Sequence, residues 1–319
     1  MPSQHPARTE PTLRYLLCTN PGGWHRMGYW EWGDERNEDV LLCMHGLTRN
    51  GRDFDAVARR FSHKYRVICP DMAGRGTSDW LEEPDFYTFA QYVGDLASLI
   101  ARLQPARITW LGTSMGGLIG LTFIYMLSQT AKTPLGGGRC NAAAQDWLIQ
   151  KANPVDRLIL NDIGPELALE GMKNIARYVE AGQSFATHDE ALAYARTHWS
   201  GFGLQTPEQW DSYTRHYFVT NMKSQWVPHY DPAIMRAFVR GLNYPMDESQ
   251  TFLWSVIQQL QIPLLILRGS HSDLLTAEVY QRMLDEQPLA QGWQTDRAGH
   301  APSLLHDDEL DVIEKFLNS

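Results

Sequence analysis

Short apolar runs bounded by turn residues alternate along the chain with stretches whose apolar positions recur every three or four residues. Val40 to Met44 (VLLCM) and Tyr65 to Cys69 (YRVIC) are two such runs, and Phe54, Val57, Ala58 and Phe61 lie between them at helical spacing. The pattern predicts a strand, a helix and a strand. It continues with a helix from about Thr88 to Leu103, a strand at Ile108 to Gly112 and an apolar helix from about Met115 to Leu127. Upstream, Thr12 to Thr19 and His25 to Gly33 flank Asn20-Pro21-Gly22-Gly23, a turn signal that predicts a hairpin. Strands at Arg157 to Asn161, Leu264 to Leu267 and Gly292 to Thr295 follow, then a closing helix near Leu310 to Leu317. Such alternation predicts a mostly parallel sheet covered by helices on both faces.

Two segments break the rhythm. Ser128 to Pro154, with Gly136-Gly137-Gly138 and the small-residue run Asn141 to Ala144, reads as a surface excursion. The second, about residues 163–261, is helical in pattern and dense in aromatics, among them Trp199, Trp210, Trp226 and Trp254. It reads as a helical lid inserted into a core made of residues 1–162 and 262–319.

Composition narrows the function classes. The net charge of −9 and the lack of a Lys/Arg stripe argue against nucleic-acid binding. No apolar stretch approaches the roughly 18 to 20 residues that span a bilayer. Met1 to Glu10 is polar and lacks the apolar core of a secretory signal, so a soluble, cytoplasmic protein with no membrane insertion is expected. Cys18, Cys43, Cys69 and Cys140 are widely spaced, and their spacing suggests neither a disulfide framework nor a zinc site.

The chemistry concentrates at Gly112-Thr113-Ser114-Met115-Gly116, a G-x-S-x-G match between a predicted strand and a predicted helix. In that context the turn projects a serine hydroxyl from the sheet edge, ahead of helix N–H groups suited to a developing anion. Ser114 is therefore the candidate nucleophile. A serine needs a base, and His300 in Arg297-Ala298-Gly299-His300-Ala301-Pro302 falls between the last predicted strand and the closing helix. The carboxylate that orients such a histidine is assigned to Asp273, just beyond the strand ending at Leu267; Asp162, after the preceding strand, is the alternative acid. The Met115 N–H is one expected oxyanion donor. The Leu47 N–H, in His45-Gly46-Leu47 after VLLCM, is the other.

Taken together, these motifs resemble the α/β-hydrolase superfamily, in its serine-nucleophile branch with a lid between core strands six and seven. Pro70-Asp71-Met72-Ala73-Gly74-Arg75-Gly76-Thr77-Ser78-Asp79 is similar to the family's Asp-x-x-Gly-x-Gly-x-Ser turn, a mainly structural element, and Asp71 is given no chemistry. The resemblance implies an eight-stranded, mostly parallel sheet flanked by helices, and no metal or organic cofactor. Ser114 stands where epoxide hydrolases and haloalkane dehalogenases carry an aspartate, which disfavours both activities. The remaining expectation is a small-molecule substrate, a small or medium carboxylic ester, cleaved through an acyl-enzyme. A hydrolase of carbon–carbon bonds in vinylogous diketo acids is the alternative enzyme, and a receptor-like binding protein the alternative from another class. His45, Gly46 and Arg49 are candidate substrate contacts; Arg49 could equally pair with Asp53 or Asp55. Arg236 and Arg240 lie four apart on one predicted lid helix and match no family motif. The assembly such a protein could form is a homodimer.

Overall fold

A computed structural model describes residues 10–132, 154–179, 183–242 and 246–319. The glycine triplet at 136–138, the run Asn141 to Ala144, and with them most of the expected surface excursion, lie outside the described residues.

The chain opens with a hairpin, β1 (Thr12–Asn20) and β2 (Gly23–Trp32). Its turn is held by the Gly22 N–H donating to Asn20 Oδ1 at 2.8 Å, with Gly23 at φ +135°. There follow β3 (Asp39–Met44), α1 (Asp55–Phe61), β4 (Arg66–Pro70), α2 (Phe89–Leu103), β5 (Arg107–Thr113), α3 (Met115–Lys132) and β6 (Val155–Asn161). After a long intervening segment come β9 (Leu264–Gly269), α9 (Ala277–Glu286), β10 (Ala290–Thr295) and α10 (Asp307–Leu317). These form an eight-stranded sheet in the order β1-β2-β4-β3-β5-β6-β9-β10. The pairings of β1 with β2 and of β2 with β4 are antiparallel, and all others are parallel. Helix α9 has no counterpart in the sequence reading, although Thr276 caps it and Val279, Tyr280 and Met283 bury at helical spacing.

Alternation along a strand sends successive side chains to opposite faces. Along β3, Val40, Leu42 and Met44 join the larger core with α2 and α3, while Leu41 and Cys43 join the smaller core with α1 and α10. Both faces of the strand are thus apolar, as a strand in the middle of a parallel sheet requires.

The segment between β6 and β9 carries α4 (Leu169–Val179), α5 (His188–His198), α6 (Pro207–Arg215), α7 (Ile234–Leu242) and α8 (Met246–Gln259). It also contains a two-stranded ribbon, β7 (Phe218–Thr220) with β8 (Trp226–Pro228), which helical periodicity did not predict. Its aromatics mostly pack on one another: Trp199 stacks on Phe218 with centroids 5.7 Å apart and meets Tyr217 edge-on at 4.5 Å. Among the described residues no helix is long and apolar enough to cross a membrane.

Candidate functional site

The site forms where β3, β5 and β6 end. Leaving β5, the chain reverses sharply into α3, and Ser114 takes a left-handed φ of +52°. Such a φ is costly for a non-glycine residue and persists only where the surroundings impose it. Here the close packing that Gly112 and Gly116 allow imposes it. A Cβ on Gly112 would run into the Gly117 nitrogen, and one on Gly116 would run into the Met44 carbonyl. The two glycines let helix and strand approach closely enough to lift Ser114 above the sheet.

His300 arrives from the loop after β10 and places Nε2 2.9 Å from Ser114 Oγ. Its Nδ1 lies 2.7 Å from Asp162 Oδ2. Asp162 directly follows β6, has φ +57° and is fully buried. Its Oδ1 accepts from the Gly269 N–H at 2.8 Å, and its Oδ2 also accepts from the Ser272 hydroxyl at 2.6 Å. A carboxylate can only accept, so Nδ1 of His300 carries the proton and Nε2 offers its lone pair to the serine.

This placement sets the alternative, Asp162, and not Asp273, against His300. Asp273 is exposed and accepts from Asn174 Nδ2 at 2.6 Å; it does not reach His300. The loop after β9 does contribute to the cluster, but through Ser272, which buttresses Asp162 from the side. Chain order did not separate the two aspartates, because both follow a core strand and both precede His300. What separates them is the end of β6: the Ser114 N–H donates to Asn161 O at 3.0 Å, and the Asp162 N–H donates to Leu267 O at 2.8 Å. Those bonds put residue 162 between the serine turn and β9. Asn161 also donates from Nδ2 to Thr113 Oγ1 at 3.1 Å and to Pro302 O at 2.9 Å, tying the serine turn to the histidine loop.

The loop after β3 passes over the serine. A Cβ on Gly46 would stand 3.7 Å from Ser114 Cβ, so Gly46 covers Ser114 and Leu47 follows directly. Met115, the residue after the serine, opens α3, where unpaired N–H groups and the helix dipole favour negative charge.

His45 and Arg49 turn out to be committed elsewhere. His45 is fully buried, its Nδ1 donates to Gly46 O at 2.7 Å and its Nε2 accepts from the Met72 N–H at 3.0 Å. Burial, together with the charges of Arg75 and Arg49, pushes its pKa down to about 3, so it is neutral and locks two loops together. Arg49 forks onto Asp53, with both contacts at 2.6 Å, and donates from Nη2 to Tyr213 O at 2.9 Å. Its guanidinium lies 3.8 Å from the Tyr213 ring centroid and 4.8 Å from that of Tyr217. The pairing with Asp53 weighed from the sequence is therefore the one formed, and Arg49 pins the loop after β3 to the segment between β6 and β9. Arg240, on α7, pairs with Asp85 at 2.7 Å.

Spacing along the chain also hid a gathering of ligand-type residues. Cys18, His25 and Asp95 meet between the hairpin and α2, their ligand atoms within 4.8 Å of one another. The cluster is satisfied internally: His25 Nε2 lies 3.0 Å from Asp95 Oδ2, Asn20 Nδ2 lies 3.1 Å from His25 Nδ1, and Gln91 donates to Asp95 Oδ1 at 2.7 Å. Asn20 occupies His25 Nδ1 as a donor, so the ring proton sits on Nε2, the nitrogen that faces the carboxylate.

Comparison with known proteins agrees with this architecture. A family model described as the alpha/beta hydrolase family matches residues 40–314. The chain is 37% identical over 309 residues to the 3-hydroxybutyrate-oligomer hydrolase of Cupriavidus necator, covering 96% of this chain and 97% of that protein. It is 24% identical over 298 residues to a pimeloyl-[acyl-carrier protein] methyl ester esterase of Aliivibrio fischeri, covering 91% and 97%. Among solved structures, an alpha/beta hydrolase from Novosphingobium aromaticivorans superposes with a TM-score of 0.79 at 29% identity, over 97% of this chain and 98% of that one. A putative hydrolase from Rickettsia typhi gives 0.78 at 27%, over 97% and 99%.

Proposed function

Since the chain belongs to the alpha/beta hydrolase family, we propose that it is a serine hydrolase that cleaves carboxylic esters through an acyl-enzyme. The reading rests on one observation above all, the continuous hydrogen-bonded line from Asp162 through His300 to Ser114, with links of 2.7 and 2.9 Å. Its roles follow from chemistry. Ser114 Oγ attacks the ester carbonyl while His300 Nε2 takes its proton; Asp162 holds the imidazole in the required tautomer and stabilises the imidazolium. The tetrahedral oxyanion is received by the N–H groups of Leu47 and Met115. His300 then protonates the departing alkoxide, and in the second half-reaction it deprotonates the water that releases the acid. The segment 163–261 acts as the cap over this site.

Similarity to a 3-hydroxybutyrate-oligomer hydrolase over nearly the whole of both chains supports short hydroxyacid oligoesters as the substrate class. The proposed enzyme is assayed on 3-hydroxybutyrate dimer and trimer and on nitrophenyl esters of rising acyl length, with wild type beside Ser114→Ala. Release of monomer that disappears in Ser114→Ala, together with covalent labelling of wild type by a fluorophosphonate, is the expected result. Activity that survives Ser114→Ala would refute the nucleophile. Turnover of a vinylogous diketo acid with inert esters would instead favour carbon–carbon cleavage, and failure of the probe to label with ligand affinity intact would favour a binding protein.

A further inference from the structure

Arg75 is fully buried, yet among the described residues no carboxylate lies within 4 Å of its guanidinium. The contrast with its neighbours is direct: Arg49 pairs with Asp53, and Arg52 pairs with Asp55 at 2.6 Å. Burying a cation without a counter-ion is costly in general, so the surroundings must hold it in place. They do so with neutral acceptors. Nε donates to Leu47 O at 2.9 Å, and Nη1 donates to Ala73 O and to Tyr92 Oη, both at 2.7 Å. Nη2 lies 3.9 Å from Met115 Sδ.

Two of those four contacts are with Leu47 and Met115, the residues that carry the oxyanion donors in the proposed mechanism. They come from different parts of the chain, the loop after β3 and the first turn of α3, and one guanidinium spans them. A group that will acquire negative charge during the reaction would therefore form against two residues that both touch a cation without a carboxylate partner. Fixed charge in a dry surrounding acts without reorganising during the reaction, which is how such sites favour the transition state over the ester.

We propose that Arg75 is a positioning residue of the oxyanion hole: it braces Leu47 and Met115 from behind and supplies the positive potential that an oxyanion, but not a neutral ester, would answer. This rests on the reading of Ser114 as nucleophile.

The test uses the full chain and compares wild type, Arg75→Met, Arg75→Lys and Ser114→Ala. Three quantities are measured: kcat and KM on 4-nitrophenyl butyrate, the inhibition constant of an alkyl trifluoromethyl ketone, which forms an oxyanionic adduct with a serine nucleophile, and the midpoint of thermal unfolding. Removing an oxyanion donor outright costs on the order of 10²- to 10³-fold in kcat, so loss of the brace is expected to cost about tenfold to a hundredfold. In Arg75→Met, kcat should fall by that factor with KM changed less than about threefold, and the ketone should weaken by the same factor as kcat. Arg75→Lys should recover part of both, because it restores the charge without the fork. An unchanged ketone constant, or a rise in KM with kcat held, overturns the proposal. If Arg75→Met does not fold, Tyr92→Phe, which removes one acceptor of the guanidinium, should lower kcat and ketone affinity together, and no change in either overturns it equally. Full activity in Ser114→Ala would sink the nucleophile reading and this proposal with it, whereas an unchanged ketone constant on a labelled, Ser114-dependent enzyme sinks the proposal alone.

Discussion

Replacing Asp162 with Asn exchanges one oxygen for an NH2 group in a pocket where both oxygens accept. The carboxylate takes the Gly269 N–H on Oδ1, and the Ser272 hydroxyl and His300 Nδ1 on Oδ2. An asparagine keeps its oxygen toward Gly269, since turning the amide toward that buried N–H would leave it unpaired at a cost of about 1–3 kcal/mol. Its NH2 group then faces His300 Nδ1 and can only donate. The imidazole must answer with the tautomer that bears its proton on Nε2, pointing at Ser114 Oγ, and such a ring cannot accept the serine proton. Loss of the correct tautomer is worth a factor of about 10³ to 10⁴ in kcat, or ~4–5.5 kcal/mol of transition-state stabilisation. Asp273→Asn changes an exposed side chain bonded to Asn174 and should leave kcat within about twofold, in line with ordinary surface substitutions. Both variants are compared with wild type on 4-nitrophenyl butyrate at saturating substrate, with thermal unfolding recorded to show that each is folded. A loss in Asp273→Asn as large as that in Asp162→Asn, or an Asp162→Asn enzyme within tenfold of wild type, would refute the assignment of the acid.

His45 has a folded pKa of about 3 against an ordinary 6.5, lowered first by burial. Below the ordinary value the unfolded chain takes up a proton that the folded chain refuses, so stability is full above it and falls as the pH drops toward the folded value. At pH 5 the loss from this group amounts to about 2 kcal/mol. Urea midpoints at pH 7.5 and 5.0 should therefore drop less in His45→Gln than in wild type, and equal drops would contradict the buried neutral imidazole. Gly116→Ala sets a methyl group against the Met44 carbonyl and should reach or exceed the upper end of the ~1–3 kcal/mol typical of overpacking, read by urea unfolding; a cost under 1 kcal/mol would show the contact to be soft. Arg49→Met leaves Asp53 without its partner and should cost about 3–5 kcal/mol in the same assay, with most of it regained in Arg49→Met/Asp53→Asn. A double variant no more stable than the single one would place the cost in lost packing against Tyr213 and Tyr217.

Features that depend on neighbours in sequence were legible. The Gly112 and Gly116 positions around Ser114 encode a close approach of helix and strand, and that approach is found at the Met44 carbonyl. His300 could be picked out because the strand before it and the helix after it were both readable from apolar spacing. The distinction between Asp162 and Asp273 was not, because it turns on which strand end lies beside β5 in the sheet, and sheet order is a long-range property. The place of Arg75 was illegible for the same reason: in the sequence it is one residue of a glycine-rich turn, and only folding brings it to Leu47 and Met115. The ribbon of β7 and β8 was hidden by strands of three residues, too short for a period of two to declare itself.

Asp162 is the first residue after β6, where the chain leaves the sheet for the segment that returns at β9. Anyone grafting that segment from a relative, to make a chimera with altered substrate range, would meet this junction first. A Cβ on Gly164 would press on Leu275 and on Met283, and Ser272 must still reach Asp162, so splice points inside 162–164 or 269–275 would displace Asp162 along with the donor segment. Crossovers placed further out, after Pro165 and before Leu264, would exchange that segment and leave Ser114, Asp162 and His300 in register. Even then the incoming segment would have to present carbonyls where Tyr213, His216 and His229 now meet Arg49, Asn50 and Gly76. Compatibility of a donor segment can thus be screened by its backbone acceptors, those of Gly201 and Gly203 toward Gly299 and His306 included, before any gene is built.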